Sequence, residues 1–311
     1  MSRDPTGFTV EDWEDLFHYI NENNTTPFLG AGVAREHFGS GAELAKKISD
    51  KFGYPFQDTF NLAKVAQFAE IRKGDPFRIR KFVADYITEK KLPDFDNPSE
   101  PHRILAKLDL PIYITTNYDH LMFEALKNDG KNPIIESCRW NDLIEIQGKS
   151  SVFDEPVLHQ FDSKNPLVYH IHGEVDNPQS MVLTEDDYLN FLLKIYIDID
   201  KLFPAQIRTA LSSSSIMFIG YSMSDWNLRI ILRRIAAAIH SVVPIHCSIQ
   251  LAPTDIKSED EAEKIREYLK KYLETIQKVN LKIYWGTAID FCNKLAEQVK
   301  NLKVKPNASS S

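Results

Sequence analysis

Cysteine is scarce in this sequence and never closely paired. Cys138, Cys247 and Cys292 are its three cysteines, and no CxxC occurs. That excludes a zinc ribbon and leaves no disulfide framework to read, so three buried or half-buried thiols are expected. Long apolar runs are lacking too, none approaching the ~20 residues that a membrane-spanning helix needs. The first stretch, MSRDPTGFTVEDWEDLF, is polar and acidic, without the apolar core of a signal peptide. Nor is there a basic excess. The net charge is -7, which gives long-range electrostatics no reason to favour nucleic acid. HExxH and comparable ligand spacings are missing, so no metal is expected. What remains is ordinary globular composition, 43% hydrophobic and 26% charged over 311 residues, enough for one large domain or two. The expectation is a soluble cytoplasmic protein with neither a membrane span nor direct nucleic-acid contact.

Short apolar, β-rich segments recur, each ending in small or polar residues: TTPFLGAG (25–32), PIYITTNYD (111–119), LVYHIHGE (167–174), SIMFIGYSMSD (215–225), PIHCSIQLAPTD (244–255) and LKIYWGTA (281–288). Helical patterns lie between several of them, at His120–Asn128, Trp226–His240 and the charged, periodic Ser258–Gln277. This alternation predicts a Rossmann-like, mostly parallel sheet with helices on both faces. In such sheets ligands bind at the carboxyl ends of the strands. Residues 35–100 interrupt the pattern with three helical stretches, Ala42–Phe52, Phe60–Lys73 and Pro76–Lys90, punctuated by Gly53, Gly74 and Pro93. A further helical stretch, Thr184–Leu202, follows the HIHG strand. These read as an inserted helical subdomain or lid, or else as covering helices.

The strand ends carry the chemistry. PFLGAGVA places Gly30 and Gly32 where backbone can turn tightly and N–H groups can meet a phosphate. The third glycine of the dinucleotide fingerprint is replaced by Arg35, and no acidic residue closes a second strand at the usual distance, which disfavours an ordinary NAD-dependent dehydrogenase. TTNYD puts Thr116, Asn117 and Asp119 on one strand-to-helix loop, where helix capping alone accounts for one of them. VYHIHGEV sets His170 and His172 on one strand face. His172, at the strand end, is the better placed for acid–base work, and His170 reads as a packed or supporting residue. FIGYSMSDW ends a strand with Gly220, Tyr221 and Ser222 and then offers Ser224 or Asp225 as a helix cap.

In that order, GAG, T-x-N-x-D, H-G and G-Y-S resemble the sirtuin fold, and the extended forms TTNYDHLMFEAL, HGEVDNPQSMVLTEDDYLNFL and GYSMSDWNLRIIL resemble its bacterial branch, which hydrolyses NAD in defence against phage. The resemblance spans roughly Thr25 to Asp290. It implies a single sirtuin-like domain over 1–311, with 25–34 and 101–300 as the Rossmann-like NAD-binding part and 35–100 as the helical insert. It assigns Gly30, Ala31, Gly32 and Val33 to the phosphate loop, and Asn117 and Asp119, with Thr116, to the nicotinamide ribose. His172 becomes the catalytic histidine, and Gly220, Tyr221, Ser222 and Asp225 become nucleotide contacts. The deacylase pattern is broken. The zinc module is missing, Ala34 stands where a serine usually follows the phosphate loop, and REHFGSGAELAKKI replaces the usual stretch after it.

NAD is therefore the implied substrate. Its nicotinamide is a cationic leaving group that departs neutral, so charge develops on the ribose. Asn117 is expected to hold ribose hydroxyls or the attacking water, His172, with a near-neutral pKa, to act as base, and Asp119 to orient the ribose or stabilise positive charge. An NAD-destroying enzyme needs a gate. The helical insert and self-assembly into a homo-oligomer are expected to serve, and a chain of this length resembles subunits that pair with a HerA-like hexameric ATPase. Two alternatives stand beside this reading: an NAD-dependent protein deacylase, and a module that senses NAD or ADP-ribose without turnover.

Overall fold

Side-chain alternation in the apolar runs decides how the sheet is covered. In the computed structural model, which describes residues 6–142, 151–154, 160–221, 246–250, 259–277 and 281–304, seven strands form one sheet. They are β1 (Thr25–Leu29), β2 (Ile112–Thr115), β3 (Ile134–Ser137), β4 (Leu167–His170), β5 (Ser215–Ile219), β6 (His246–Gln250) and β7 (Leu281–Trp285). The order is β3-β4-β2-β1-β5-β6-β7, and every neighbouring pair is parallel. Successive side chains point to opposite faces. Leu29, Tyr113, Val168 and Met217 join one buried cluster, and Phe28, Ile114, Tyr169 and Phe218 join the other.

Helices cover both faces, as a parallel sheet requires. The first cluster is completed by α1 (Val10–Asn21), α6 (Pro101–Ala106), α7 (Leu121–Asn128) and α12 (Ala288–Val304) through Phe17, Leu105, Leu121 and Phe291. The second is completed by α8 (Glu185–Ile197), α9 (Ile199–Leu202) and α10 (Ala205–Ser213) through Phe191, Leu202 and Ile207. α11 (Glu259–Gln277) precedes β7. The predicted helix over 184–202 is broken at Asp198, whose non-helical backbone (φ -141, ψ 61) separates α8 from α9. The helix expected at Trp226–His240 lies outside the described residues.

After β1 come the short α2 (Arg35–Phe38), α3 (Gly41–Phe52), α4 (Leu62–Lys73) and α5 (Pro76–Thr88). Local chemistry sets their ends: Ser40, Asn61 and Asp75 cap the N-termini of α3, α4 and α5 through their side chains, and Pro76 occupies the first turn of α5. These three helices share a third buried cluster, built on Ile48, Val65 and Val83, which also takes in Val175, Met181 and Leu183 from the stretch after β4. The two layers are tied by Arg80 of α5. It is 5% exposed and bonds Glu70 at 2.7 Å and both carboxylate oxygens of Asp187 on α8 at 2.7 and 2.6 Å.

Candidate active site

The strand order reverses at β1, with β2 on one side and β5 on the other. Loops leaving the carboxyl ends of such strands part from one another and open a crevice. A cavity of about 380 Å³ lies there. Strand-end residues Ala31, Thr116, Asn117, Asp119, His172, Gly220 and Tyr221 line it, together with Phe38, Ser40, Leu44, Tyr86 and Ile87 from the helical segment.

The glycines bring the β1 and β5 loops into contact. A Cβ on Gly32 would come within 2.7 Å of the Gly220 Cα, and Gly220 itself has φ +80, which other residues adopt at a cost. The amides of Gly30 and Gly32 are spent on the neighbouring loop, donating to the carbonyls of Ile219 and Gly220 at 2.9 Å each. The expected phosphate cradle is thus corrected in part: these two glycines supply close approach, and their N–H groups do not face a ligand. Val33 is also not a cavity residue. It is buried in the first core cluster, and its N–H bonds the Gly30 carbonyl at 3.1 Å. Ala31 does line the cavity.

Around the Leu29 carbonyl at the end of β1, three donors converge: the Thr116 N–H at 3.0 Å, the Thr115 hydroxyl at 3.1 Å and the Tyr221 hydroxyl at 3.0 Å. Thr116 Oγ1 and Tyr221 Oη are 2.7 Å apart. Asn117 is fixed on three sides. Its N–H donates to Thr115 Oγ1 at 3.0 Å, its Nδ2 donates to the Gly30 carbonyl at 3.1 Å, and its own carbonyl accepts from His170 Nδ1 at 2.9 Å. Asp119 is buried and accepts the Leu121 N–H at 3.0 Å, so it opens α7 while lining the cavity.

His172 is 5% exposed. Its ring meets Tyr188 and Phe191 edge-on, at centroid distances of 5.5 and 5.1 Å, and Nε2 is buried without a hydrogen-bond partner. Burial pushes its pKa down to about 3, not the near-neutral value expected of a free imidazole. The ring is therefore neutral at physiological pH. Protonating it at pH 7 costs on the order of 5 kcal/mol, at 1.36 kcal/mol per unit. His170 is fully buried, and burial, with His120 nearby, lowers its pKa as well.

Behind these residues His120 bonds Glu174 at 2.8 Å, and its other ring nitrogen lies 3.9 Å from Asp176. Burial alone would lower the His120 pKa, but the Glu174 carboxylate outweighs it and raises it. These three are the group among the described residues whose donor atoms are close enough to share a metal ion, yet His120 and Glu174 already satisfy one another as a hydrogen-bonded pair. A second cavity, of about 460 Å³, lies at the ends of β3 and β4. It holds none of the motif residues, and its Arg139 and Arg208 are paired with Asp154 and Asp200.

The structure thus gathers Ala31, Thr116, Asn117, Asp119, His172, Gly220 and Tyr221 around one cavity. Ser222 and Asp225 lie outside the described residues. Phe38, Leu44, Tyr86, Tyr118 and Tyr188 line the cavity without having been expected. Tyr118 lies inside TTNYD, where an aromatic between Asn117 and Asp119 reads as packing; strand-end motifs could not reveal the other four, because they come from helices whose apolar residues read as core.

Among proteins of known name, "NAD(+) hydrolase ThsA" of Cytobacillus dafuensis is 28% identical over 223 residues, covering 71% of this chain and 40% of its own length. The protein of that name from Bacillus cereus (strain MSX-D12) is 28% identical over 227 residues, 72% of this chain and 42% of its own. "Defense-associated sirtuin 2" of Bacillus subtilis is 28% identical over 214 residues, 66% of this chain and 18% of its own. The chain thus spans well under half the length of these relatives. The solved structure titled "Structure of Sir2Tm bound to a propionylated peptide" matches 92% of this chain at 15% identity with a TM-score of 0.36, and adds nothing to the fold described above. The family model of the SIR2-like domain matches residues 111–276, more than half of the chain and the segment that carries Asn117, His172 and Tyr221; this chain belongs to the SIR2-like domain family.

Proposed function

We propose that this protein is an NAD hydrolase, releasing nicotinamide and ADP-ribose as an effector of antiphage defence. The observation that carries the reading is that Asn117 and His172 line one cavity at the strand-order switch, each with a polar side-chain atom unspent. Asn117 Nδ2 faces the Gly30 carbonyl, which leaves Oδ1 without a described partner, and His172 Nε2 is buried and unpartnered. The relatives named NAD(+) hydrolase, and one named for defence, support it.

The chemistry needs little machinery. The bond between ribose C1′ and nicotinamide breaks with its electron pair going to nicotinamide, which leaves neutral. Water then adds to C1′ and gives up a proton. Positive charge accumulates on the ribose, so the site has to orient the sugar, exclude stray water and hold one water for attack. Asn117 Oδ1 accepts a hydrogen bond from a ribose hydroxyl or from that water. His172, kept neutral by burial, accepts a hydrogen bond from a ribose hydroxyl and takes a proton only as charge develops in the bound complex. Asp119 supplies negative potential beside the ribose. Ala31, Thr116, Gly220, Tyr221, Ser222 and Asp225 form the nucleotide side, with Gly30, Gly32 and Val33 shaping the loop beneath.

In this reading 25–34 and 101–300 form the NAD-binding part and 35–100 the insert, whose Phe38, Leu44 and Tyr86 close the cavity from the far side. That wall is the gate. The enzyme works in the cytoplasm as a homo-oligomer, with a HerA-like hexameric ATPase as partner. Incubating the protein with NAD and following nicotinamide is the test. Asn117→Ala and His172→Ala should each cut the release about 100-fold or more. Full activity in both variants would sink the assignment, and consumption of an acetylated peptide together with NAD would replace it with a deacylase.

A further inference from the structure

Two histidines sit on β4 and its continuation, and only one lines the cavity. His170 is fully buried at the sheet's carboxyl edge, the last residue of β4, in register with Thr115 of β2 and Ser137 of β3. Its Nδ1 lies 2.9 Å from the Asn117 carbonyl oxygen. A carbonyl can only accept, so Nδ1 carries the proton. The opposite nitrogen, Nε2, is buried with no partner, which leaves a bare lone pair and fixes the tautomer. The His120 ring, held by Glu174, stands edge-on to it with centroids 5.7 Å apart.

The same logic fixes Asn117. Its amide meets the Gly30 carbonyl at 3.1 Å, and two carbonyl oxygens repel, so the NH₂ group must face Gly30 and Oδ1 must face away. The backbone on either side is held by Thr115 Oγ1 at the N–H and by His170 at the carbonyl. Removing the imidazole frees the peptide that follows Asn117 while leaving every cavity-lining side chain in the sequence.

We propose that His170 is a positioning residue of this site: as the neutral Nδ1–H tautomer it clamps the Asn117 peptide, and so holds the Asn117 amide with Nδ2 on Gly30 and Oδ1 turned to the substrate. The turnover part of this proposal rests on the NAD-hydrolase reading, and the tautomer part does not. Because His170 acts through Asn117 and touches no substrate, its loss should appear in kcat and not in KM.

Two measurements test it. In kinetics of nicotinamide release, His170→Leu should lower kcat about 100-fold, the usual cost of a small misplacement, with KM for NAD within about threefold. His170→Asn, which keeps an N–H donor near the Nδ1 position, should recover kcat to within about tenfold of the parent. A folded His170→Leu protein with full kcat, or a folded His170→Asn protein as slow as the leucine variant, would overturn the clamp. Independently, ¹⁵N NMR of histidine-labelled protein, with the His170 signals assigned by their loss in His170→Asn, should show the Nδ1–H pattern. The Nε2–H pattern would overturn the proposal whatever the activity. A parent protein showing the Nδ1–H pattern but never releasing nicotinamide, alone or with a HerA-like ATPase, would sink the hydrolase reading and support the tautomer part of the proposal.

Discussion

At the scale of single residues, burial decides what His172 can do. Its pKa falls from 6.5 to about 3 through desolvation. Between those values the unfolded chain binds a proton that the native protein does not, so stability rises with pH across this window and is lost as pH falls. At pH 5 the unfolded side chain lies 1.5 units above the pH, a penalty of about 2 kcal/mol. Thermal unfolding of His172→Gln should therefore lose less stability than the parent between pH 7 and 5, by about that amount. Parallel losses in the two proteins would show that His172 is solvated in solution. The sequence made the two histidines legible as a pair on one face and favoured the one at the strand end. It could not give the pKa, because desolvation comes from tertiary packing, in which Tyr188 and Phe191 of α8 stand against the ring. Nor could it show that Gly30 and Gly32 spend their amides on β5, since that requires knowing which strand lies beside β1.

Elements were legible where their signal is local. The apolar runs that become β1, β2, β4, β5, β6 and β7 are visible, as are α3 to α5 and the glycines Gly53 and Gly74 that end the first two of them. β3 was missed because it is a short edge strand with half-exposed residues throughout, and so lacks a clear apolar run. α1 falls in a stretch whose polar, acidic composition shows no clear apolar run, although Thr9 and Asp12 form a reciprocal cap at its start. The docking of α5 on α8 was not legible at all, since Arg80 and Asp187 are 107 residues apart. That contact predicts its own test. Arg80→Met leaves Asp187 and Glu70 without their cation, and the usual cost of breaking such a buried pair is about 3 kcal/mol. Chemical denaturation should show the loss as a lower midpoint, and a shift under about 0.5 kcal/mol would mean that water replaces the guanidinium without penalty.

For the molecule as a whole, the parallel sheet covered on both faces was predicted from the strand–helix alternation, and the switch point then located the cavity. The second wall was not predictable, because Phe38, Leu44 and Tyr86 reach it only through the packing of the helical segment. If that wall closes on substrate, NAD should slow amide hydrogen exchange in residues 38–44 and 86–88 as well as at 116–119. Protection confined to the strand ends would make the helical segment a passive cover. The closure between β1 and β5 carries one more consequence, for the birth of the protein. Tyr221 and the Leu29 carbonyl it grips are 192 residues apart in the chain. At roughly 5–20 residues per second, a ribosome needs about 10–40 s to cover that interval. Until then the first strand waits without its central neighbour, and the cavity has only part of its lining.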